Sequence, residues 1–268
     1  MVWEMPDSIS ASRMDTWMQC PFKYRVENMQ KLPSGTNAAA VAGTAMHAAL
    51  EELMKLPGAE RTRENLAPLI EQALVDIRET DEYKSLTPEE LKGFDDKCRL
   101  VTPRAFEFKG LDLQEVNVEA TELWFEEDVD GWKIRGYIDL LENRPHFGRI
   151  VWDYKSGKKP WGKYIESKLT GLELYAVAIN KIYGEPPAGV GLLYLRDRFT
   201  VKRVPTAGSV QATERKILRV RAEMDRACTT GQFGCNTSKL CDWCAVRPYC
   251  PAHGGRPDDI PVAVELSS

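Results

Sequence analysis

The sequence predicts an α/β protein, one mixed β-sheet flanked by helices. Three observations carry this. The first hundred residues place apolar side chains three and four apart, as amphipathic helices do. Residues 117–142 then alternate in polarity around an Asp-Gly turn, and two further strand-like runs follow after a helical stretch. Helices and strands mixed in this order suit a single sheet covered by helices.

In chain order, SISASRMDTWMQC (8–20) reads as a helix that Ser10 or Ser12 can cap, with Met14, Trp17 and Met18 on one stripe and Pro21 as its stop. GTAMHAALEELMK (43–55) is a second helix, turning Met46, Ala49, Leu50 and Leu53 inward. Residues 62–79 and 88–109 form two more. Residues 117–127 and 131–142 pair as a hairpin through Val129-Asp130-Gly131. A third strand covers 149–155, a helix 165–183, a second hairpin GVGLLYLRD and RFTVKRV, and a helix about 209–230 leads into a cysteine cluster. The residues after Pro251 carry no firm periodicity and read as a loosely held tail. No repeat or linker divides the chain.

The chain has 268 residues, 43% hydrophobic and 28% charged, enough for a substantial core. No run of about 18 apolar residues is present, so no membrane partner is expected. The opening MVWEMPDSIS lacks a basic region followed by an apolar one, so an intracellular, cytoplasmic protein is expected. A net charge of -4 argues against a broad nucleic-acid-coating surface but leaves room for a local groove. Seven cysteines, four of them within residues 235–250, point in an intracellular protein to metal rather than disulfides.

Two acids sit where strands should be apolar. GYIDLLE sets Asp139 between Ile138 and Leu140, and VWDYKSGKK places Asp153 two residues before Lys155, so both project from one side of a strand. Buried carboxylates need a partner. Asp153 with Lys155 is either a cross-sheet ion pair or half of an active site. A divalent cation would satisfy both acids, Mg²⁺ or Mn²⁺ for oxygen ligands, with Mn²⁺ favoured by an imidazole. His47, in GTAMHAALE, can supply it; Glu51, one turn on, is either its support or a solvent-facing glutamate.

GTAMH, GYID and VWDYKSG, in this order, resemble the motifs of the PD-(D/E)xK nuclease superfamily in its RecB-like branch. The resemblance implies a PD-(D/E)xK core whose metal ligands are His47, Asp139, Asp153 and the Tyr154 carbonyl. Lys155 would then orient the attacking water and meet charge on the phosphate. That branch carries Q-x-x-x-Y on the next helix; KLTGLELYAVA has Tyr175 in place but Gly171 where the Gln stands, which weakens any substrate contact from that helix.

KLCDWCAVRPYCP places Cys241, Cys244 and Cys250 at metal-ligand spacing. By sequence proximity the fourth ligand is Cys235, giving a tetrahedral zinc site. The resemblance points elsewhere. Iron–sulfur members of the branch, of the AddB and CRISPR-associated exonuclease types, hold a [4Fe–4S] cluster on one cysteine before the nuclease motifs and three after. SRMDTWMQCPFKY looks like the first half of that pattern. The resemblance thus implies Cys20, Cys241, Cys244 and Cys250 as ligands of a structural cluster that joins the two ends of the chain. Cys98 and Cys228 are expected to be buried or half-buried thiols. The expected organisation is one nuclease domain, 1–251, with a helical part about 43–110, a core about 115–205, cluster-binding ends 8–28 and 235–251, and a tail 252–268.

After Lys155, Lys158, Lys159, Trp161, Lys163, Tyr164 and Lys168 interleave cations with rings, which suits single-stranded DNA or else a solvated loop. Arg196, Arg198, Lys202 and Arg203 form a weaker second patch. The function expected from the resemblance is a metal-dependent DNA exonuclease, acting on single-stranded DNA from a 5′ end in recombination, repair or fragment processing. It would be free-standing, as in phages, or work with a protein partner in a recombination or CRISPR-like complex. Two other classes stay open: a DNA-end-binding accessory subunit with little nuclease activity, and a zinc-stabilised DNA-binding protein.

Overall fold

The computed structural model describes residues 2–32, 37–162, 165 and 169–261. Along the chain run β1 (Ser8–Ile9), α1 (Ala11–Gln19), α2 (Pro21–Tyr24), α3 (Ala38–Lys55), α4 (Arg63–Arg78), α5 (Asp81–Lys84), α6 (Pro88–Leu91) and α7 (Phe94–Val101). They are followed by β2 (Val118–Val129), β3 (Trp132–Arg144), β4 (Gly148–Lys155), α8 (Thr170–Tyr183), β5 (Gly189–Tyr194), β6 (Phe199–Arg203) and α9 (Ala207–Thr230). The result is an α/β fold with a central mixed sheet flanked by helices. Two compact units divide the chain: residues 36–125 with 136–210, and residues 1–35 with 126–135 and 211–268.

In the larger unit the strands run β3–β4–β5–β6, with β2 paired to β3. β3 and β4 are antiparallel, Leu140 opposite Trp152; β4 and β5 are parallel, Asp153 opposite Leu192; β5 and β6 close as a hairpin. α8 is the crossover that a parallel β4–β5 pair requires. Alternation sends Leu140, Trp152, Tyr154 and Leu193 into a core with α3, α4 and α7. Asp153 points to the other face, where Tyr175 of α8 meets it. Trp152 fits because its parallel neighbour is Gly191: a Cβ there would lie 2.6 Å from the indole. The indole N–H donates to buried Glu142 (2.9 Å), which Arg144 grips with two hydrogen bonds. Arg61, also buried, donates to the carbonyls of Leu56, Leu113 and Val116.

Three helices differ from expectation. α3 starts earlier than position 43, because Ala-rich residues 38–42 favour helix without an amphipathic signal and Asn37 caps them, accepting from the Ala40 N–H. The helix expected over 88–109 breaks at Gly93, which takes a left-handed φ of 72°, and passes at Pro103 into a 3₁₀ turn, Thr102–Glu107. Of the helix expected over 165–183, residues 170–183 are α8, and residues 166–168 lie outside the described residues.

In the smaller unit, Ser10 caps α1, and β1 pairs in parallel with Lys133 and Ile134 of β3. Trp17 packs edge-on against Tyr24 and Phe233, while the Arg25 guanidinium lies 4.8 Å over the Phe22 ring. Phe22, Val26, Val246, Cys250 and Ile260 form a small apolar core, with Cys20, Cys235 and Cys244 packed on it. Ile260 thus holds residues beyond Pro251 against the unit; residues 262–268 lie outside the described residues.

Candidate active site

Four chain segments of the larger unit converge on one acidic spot. α3 brings His47, and Gly43 one turn earlier lets that helix close on the end of β4: a Cβ there would lie 2.9 Å from Ser156 Oγ. β3 brings Asp139, β4 brings Asp153 and Lys155, and α8 brings Tyr175. His47 Nε2 lies 2.8 Å from the Tyr154 carbonyl oxygen. A carbonyl only accepts, so Nε2 carries the proton and Nδ1 presents its lone pair. That lone pair faces Asp139 Oδ2 at 3.4 Å. The same oxygen accepts the Tyr154 N–H at 2.7 Å. Asp153 Oδ1 accepts from the Tyr175 hydroxyl (2.9 Å), and its Oδ2 lies 2.5 Å from Lys155 Nζ as an ion pair.

The electrostatics follow from burial and crowding of like charge. Burial, then the nearby Asp153, raises the Asp139 carboxyl well above its ordinary range. Burial lowers His47, partly offset by Asp153, so the imidazole is held neutral. Burial opposes the Lys155 charge, but Asp153 and then Asp139 outweigh it and the ammonium is favoured. Burial, then Asp153 and Asp139, pushes the Tyr175 hydroxyl up, so it remains a donor.

A residue not singled out from sequence joins them. Glu122 of β2 places a carboxylate oxygen within 4.8 Å of ligand atoms on His47 and Asp139, and the three together could hold a metal ion. Its backbone is left-handed, φ 45°, a conformation rare for glutamate and one that breaks the strand's alternation. Burial, then Glu51 and Asp153, raises its carboxyl. Glu51 lines the same opening, a cavity of about 480 Å³ with His47 and Glu122, and pairs with Lys55 (2.8 Å). The donor set fits a hard divalent cation: carboxylate oxygens, one neutral imidazole, and two lone pairs facing each other that only a proton or a cation can reconcile.

The cysteines gather in the smaller unit. Cys20, Cys235, Cys241, Cys244 and Cys250 all line one cavity of about 220 Å³. Cys20 reaches it because Phe22 N–H bonds the Gly234 carbonyl (2.9 Å), and Cys20 Sγ lies 3.9 Å from that oxygen. Burial, then Cys250, pushes the Cys235 thiol up to about 11. Thiolates are what an iron–sulfur cluster or zinc would take as ligands, so the donor set fits either. Among the described residues no three of these sulfurs lie within 4.8 Å of one another. Cys98 and Cys228 are buried elsewhere.

Among the expected DNA contacts, Trp161 is 77% exposed, with Lys159 Nζ 5.7 Å over its ring. Lys159 is tied by its N–H to Asp197 (2.6 Å), and Lys158 is exposed. Lys163, Tyr164 and Lys168 lie outside the described residues. No helix among the described residues is long and apolar enough to cross a membrane.

Comparison with known proteins bears on this geometry. The family model described as the PD-(D/E)XK nuclease superfamily matches residues 8–251, a span that includes all four acidic-site segments and the cysteine-bearing ends. No curated protein matches the chain. Among solved structures, a "putative exonuclease" from Eubacterium rectale is 15% identical, covering 89% of this chain and 87% of that one, with a TM-score of 0.55. SSO0001 is 17% identical, covering 93% and 88%, with a TM-score of 0.46. At 15% identity the first of these speaks of the fold alone; the family rests on the sequence match. With that match spanning nearly its whole length, the chain belongs to the PD-(D/E)XK nuclease superfamily.

Proposed function

We propose that this chain is a metal-dependent deoxyribonuclease of the RecB-like branch, acting as an exonuclease on single-stranded DNA. The observation that carries the reading is the convergence of His47 Nδ1, Asp139 Oδ2 and Glu122 on one point, beside Asp153 and Lys155. His47, Glu122, Asp139 and Asp153 would hold Mn²⁺ or Mg²⁺, while the Tyr154 carbonyl, expected from the motif as a further ligand, accepts from His47 Nε2 on the side of the ring away from Nδ1 and braces the imidazole instead. The cation would polarise the scissile phosphodiester and lower the pKa of water at the site. His47, fixed by the Tyr154 carbonyl, keeps a lone pair on the site. Tyr175 holds Asp153 by one oxygen and leaves the other toward Lys155. The Lys155 ammonium orients the attacking water and meets charge developing on the phosphoryl oxygens. Lys158, Lys159, Trp161 and Lys163 would guide the strand, and action from a 5′ end and a role in recombination, repair or fragment processing follow from the likeness to that branch.

The same reading gives Cys20, Cys241, Cys244 and Cys250 a structural [4Fe–4S] cluster joining the chain's ends. The cavity that these four cysteines line together supports a thiolate-held group there. One observation favours zinc instead: Cys235 lines the cavity as well. Metal analysis of protein purified without oxygen separates the two, since iron lost in Cys250→Ala and kept in Cys235→Ala supports the cluster.

The activity test uses Mn²⁺ or Mg²⁺ and linear single-stranded DNA labelled at either end, beside circular DNA and Lys155→Ala. Loss of the linear strand alone, from the 5′ label and not in the variant, is the expected result. Cleavage of circles would refute end dependence. Binding without cleavage would move the assignment to a DNA-end-binding accessory subunit, the class that Gly171 in place of the usual Gln favours.

A further inference from the structure

Two exposed rings flank the acidic residues in sequence and pack as a pair. Trp124 of β2 and Tyr137 of β3 are 47% and 54% exposed, with ring centroids 4.9 Å apart and planes at 55°. Two large rings left half in water forgo burial that would ordinarily stabilise the fold. Their position is specific. Tyr137 lies two residues before Asp139, on the same face of β3, while Ile138 and Leu140 between and beyond them are buried. Trp124 lies two residues after Glu122.

The strands beneath the pair are braced. Phe125, next to Trp124, is buried and meets Tyr175 edge-on at 6.2 Å, and Tyr175 in turn donates to Asp153. Gly136, next to Tyr137, packs closely on the same ring, which a Cβ there would approach to 3.1 Å. Phe125 thus braces both strands, and through Tyr175 it is linked to the acidic site.

We propose that Trp124 and Tyr137 form a stacking platform that takes nucleobases of single-stranded nucleic acid beside the acidic site. The inference rests on the nuclease reading and deepens it by naming what the site selects. Unpaired bases offer π-faces that a duplex hides in its stack, and ring–base stacking is indifferent to base identity. With centroids 4.9 Å apart the two rings pack on one another, so a base would stack on an outer, solvent-facing ring surface rather than between them. A phosphodiester next to the stacked base would lie near Asp139 and Glu122.

The experiment measures binding of full-length protein carrying Lys155→Ala, without added divalent cation, so that nothing is cut. The probes are fluorescein-labelled oligothymidylate, an abasic oligodeoxyribonucleotide of equal length and charge, and a blunt duplex. Oligothymidylate should bind more tightly than the abasic strand. Trp124→Ala and Tyr137→Ala should each weaken oligothymidylate binding roughly 5- to 150-fold, the range expected for one lost stack, and leave abasic binding within about twofold. Trp124→Phe should restore most of the loss, which a merely structural defect would not allow. Equal losses on both strands, or no loss on either, overturn the platform, as does tighter binding of the duplex that the same variants weaken. The nuclease reading is tested apart, by cleavage with Lys155 intact. Base-dependent binding without cleavage sinks that reading and leaves the platform standing; cleavage with variants that bind normally does the reverse.

Discussion

Glu122→Gln should make the metal-free protein more stable and the metal-bound protein relatively less so. Glu122 and Asp139 carry ligand oxygens within 4.8 Å of each other. Two unit charges at that separation repel by about 3.5 kcal/mol at an effective dielectric near 20. Burial already raises both carboxyls, so proton uptake and solvent relieve part of this, and a net gain of about 1–2 kcal/mol is expected for the amide. The cation works the other way. At a hundredfold excess over its Kd a bound ion stabilises the native state by about 2.7 kcal/mol, and each tenfold weakening removes about 1.4. Losing a charged ligand should cost at least tenfold. Urea unfolding with and without Mn²⁺, beside calorimetric titration, reads both effects. A pH series adds a sign test. A carboxyl whose folded pKa is raised favours the fold fully below its ordinary value near 4, and that contribution disappears as pH rises through the raised value. The advantage of Glu122→Gln should therefore be absent in acid and grow with pH. A metal-free variant less stable than wild type, or an undiminished gain from Mn²⁺, would refute the shared site.

Other substitutions probe what surrounds that point. Tyr175→Phe removes the donor to Asp153 Oδ1 and should lower Mn²⁺ affinity and cleavage roughly ten- to a hundredfold; unchanged values in both would show that Asp153 needs no such support. Gly191→Ala forces a methyl against the buried Trp152 indole and should cost about 1–3 kcal/mol in urea unfolding, a loss that Trp152→Phe in the same chain partly recovers. Arg61→Met strands three backbone carbonyls and should destabilise by about 3 kcal/mol or more; a smaller loss would mean that water replaces the guanidinium.

Much of the fold is legible because local chemistry and tertiary demand agree. Asp130 and Gly131 take positive φ, 49° and 78°, as a tight hairpin turn needs, and the alternating runs beside them are strands. Helix ends are less legible. Ala38 to Ala42 carry no stripe to read, and the break at Gly93 depends on a left-handed residue that sequence spacing alone does not require. Strand neighbours are not written locally at all. Gly191 becomes intelligible only once Trp152 is known to lie beside it, since the glycine answers to a ring that is distant in sequence.

The acidic site shows where reading by pattern reaches its limit. His47, Asp139, Asp153 and Lys155 stand out because a charge inside an apolar strand, or a lone imidazole after a glycine, contradicts its surroundings. Glu122 is less visible. In VEATELWFEE a period of two groups it with Val118, Ala120 and Trp124, but the stretch holds four glutamates and its alternation is too weak to single out one of them. What separates it from Glu126 is a backbone angle, φ 45°, that composition does not encode and that glutamate adopts at some cost. A strained residue persists only where its surroundings require it. Here the strain turns one carboxylate toward two groups, Asp139 and a neutral His47, whose lone pairs already face each other at 3.4 Å. Adding negative charge to that gap raises the energy of the metal-free protein, and the arrangement becomes favourable once a cation occupies it. The same step explains why Glu122, read alone, carries little signal: its role is defined by the other residues at the point it approaches.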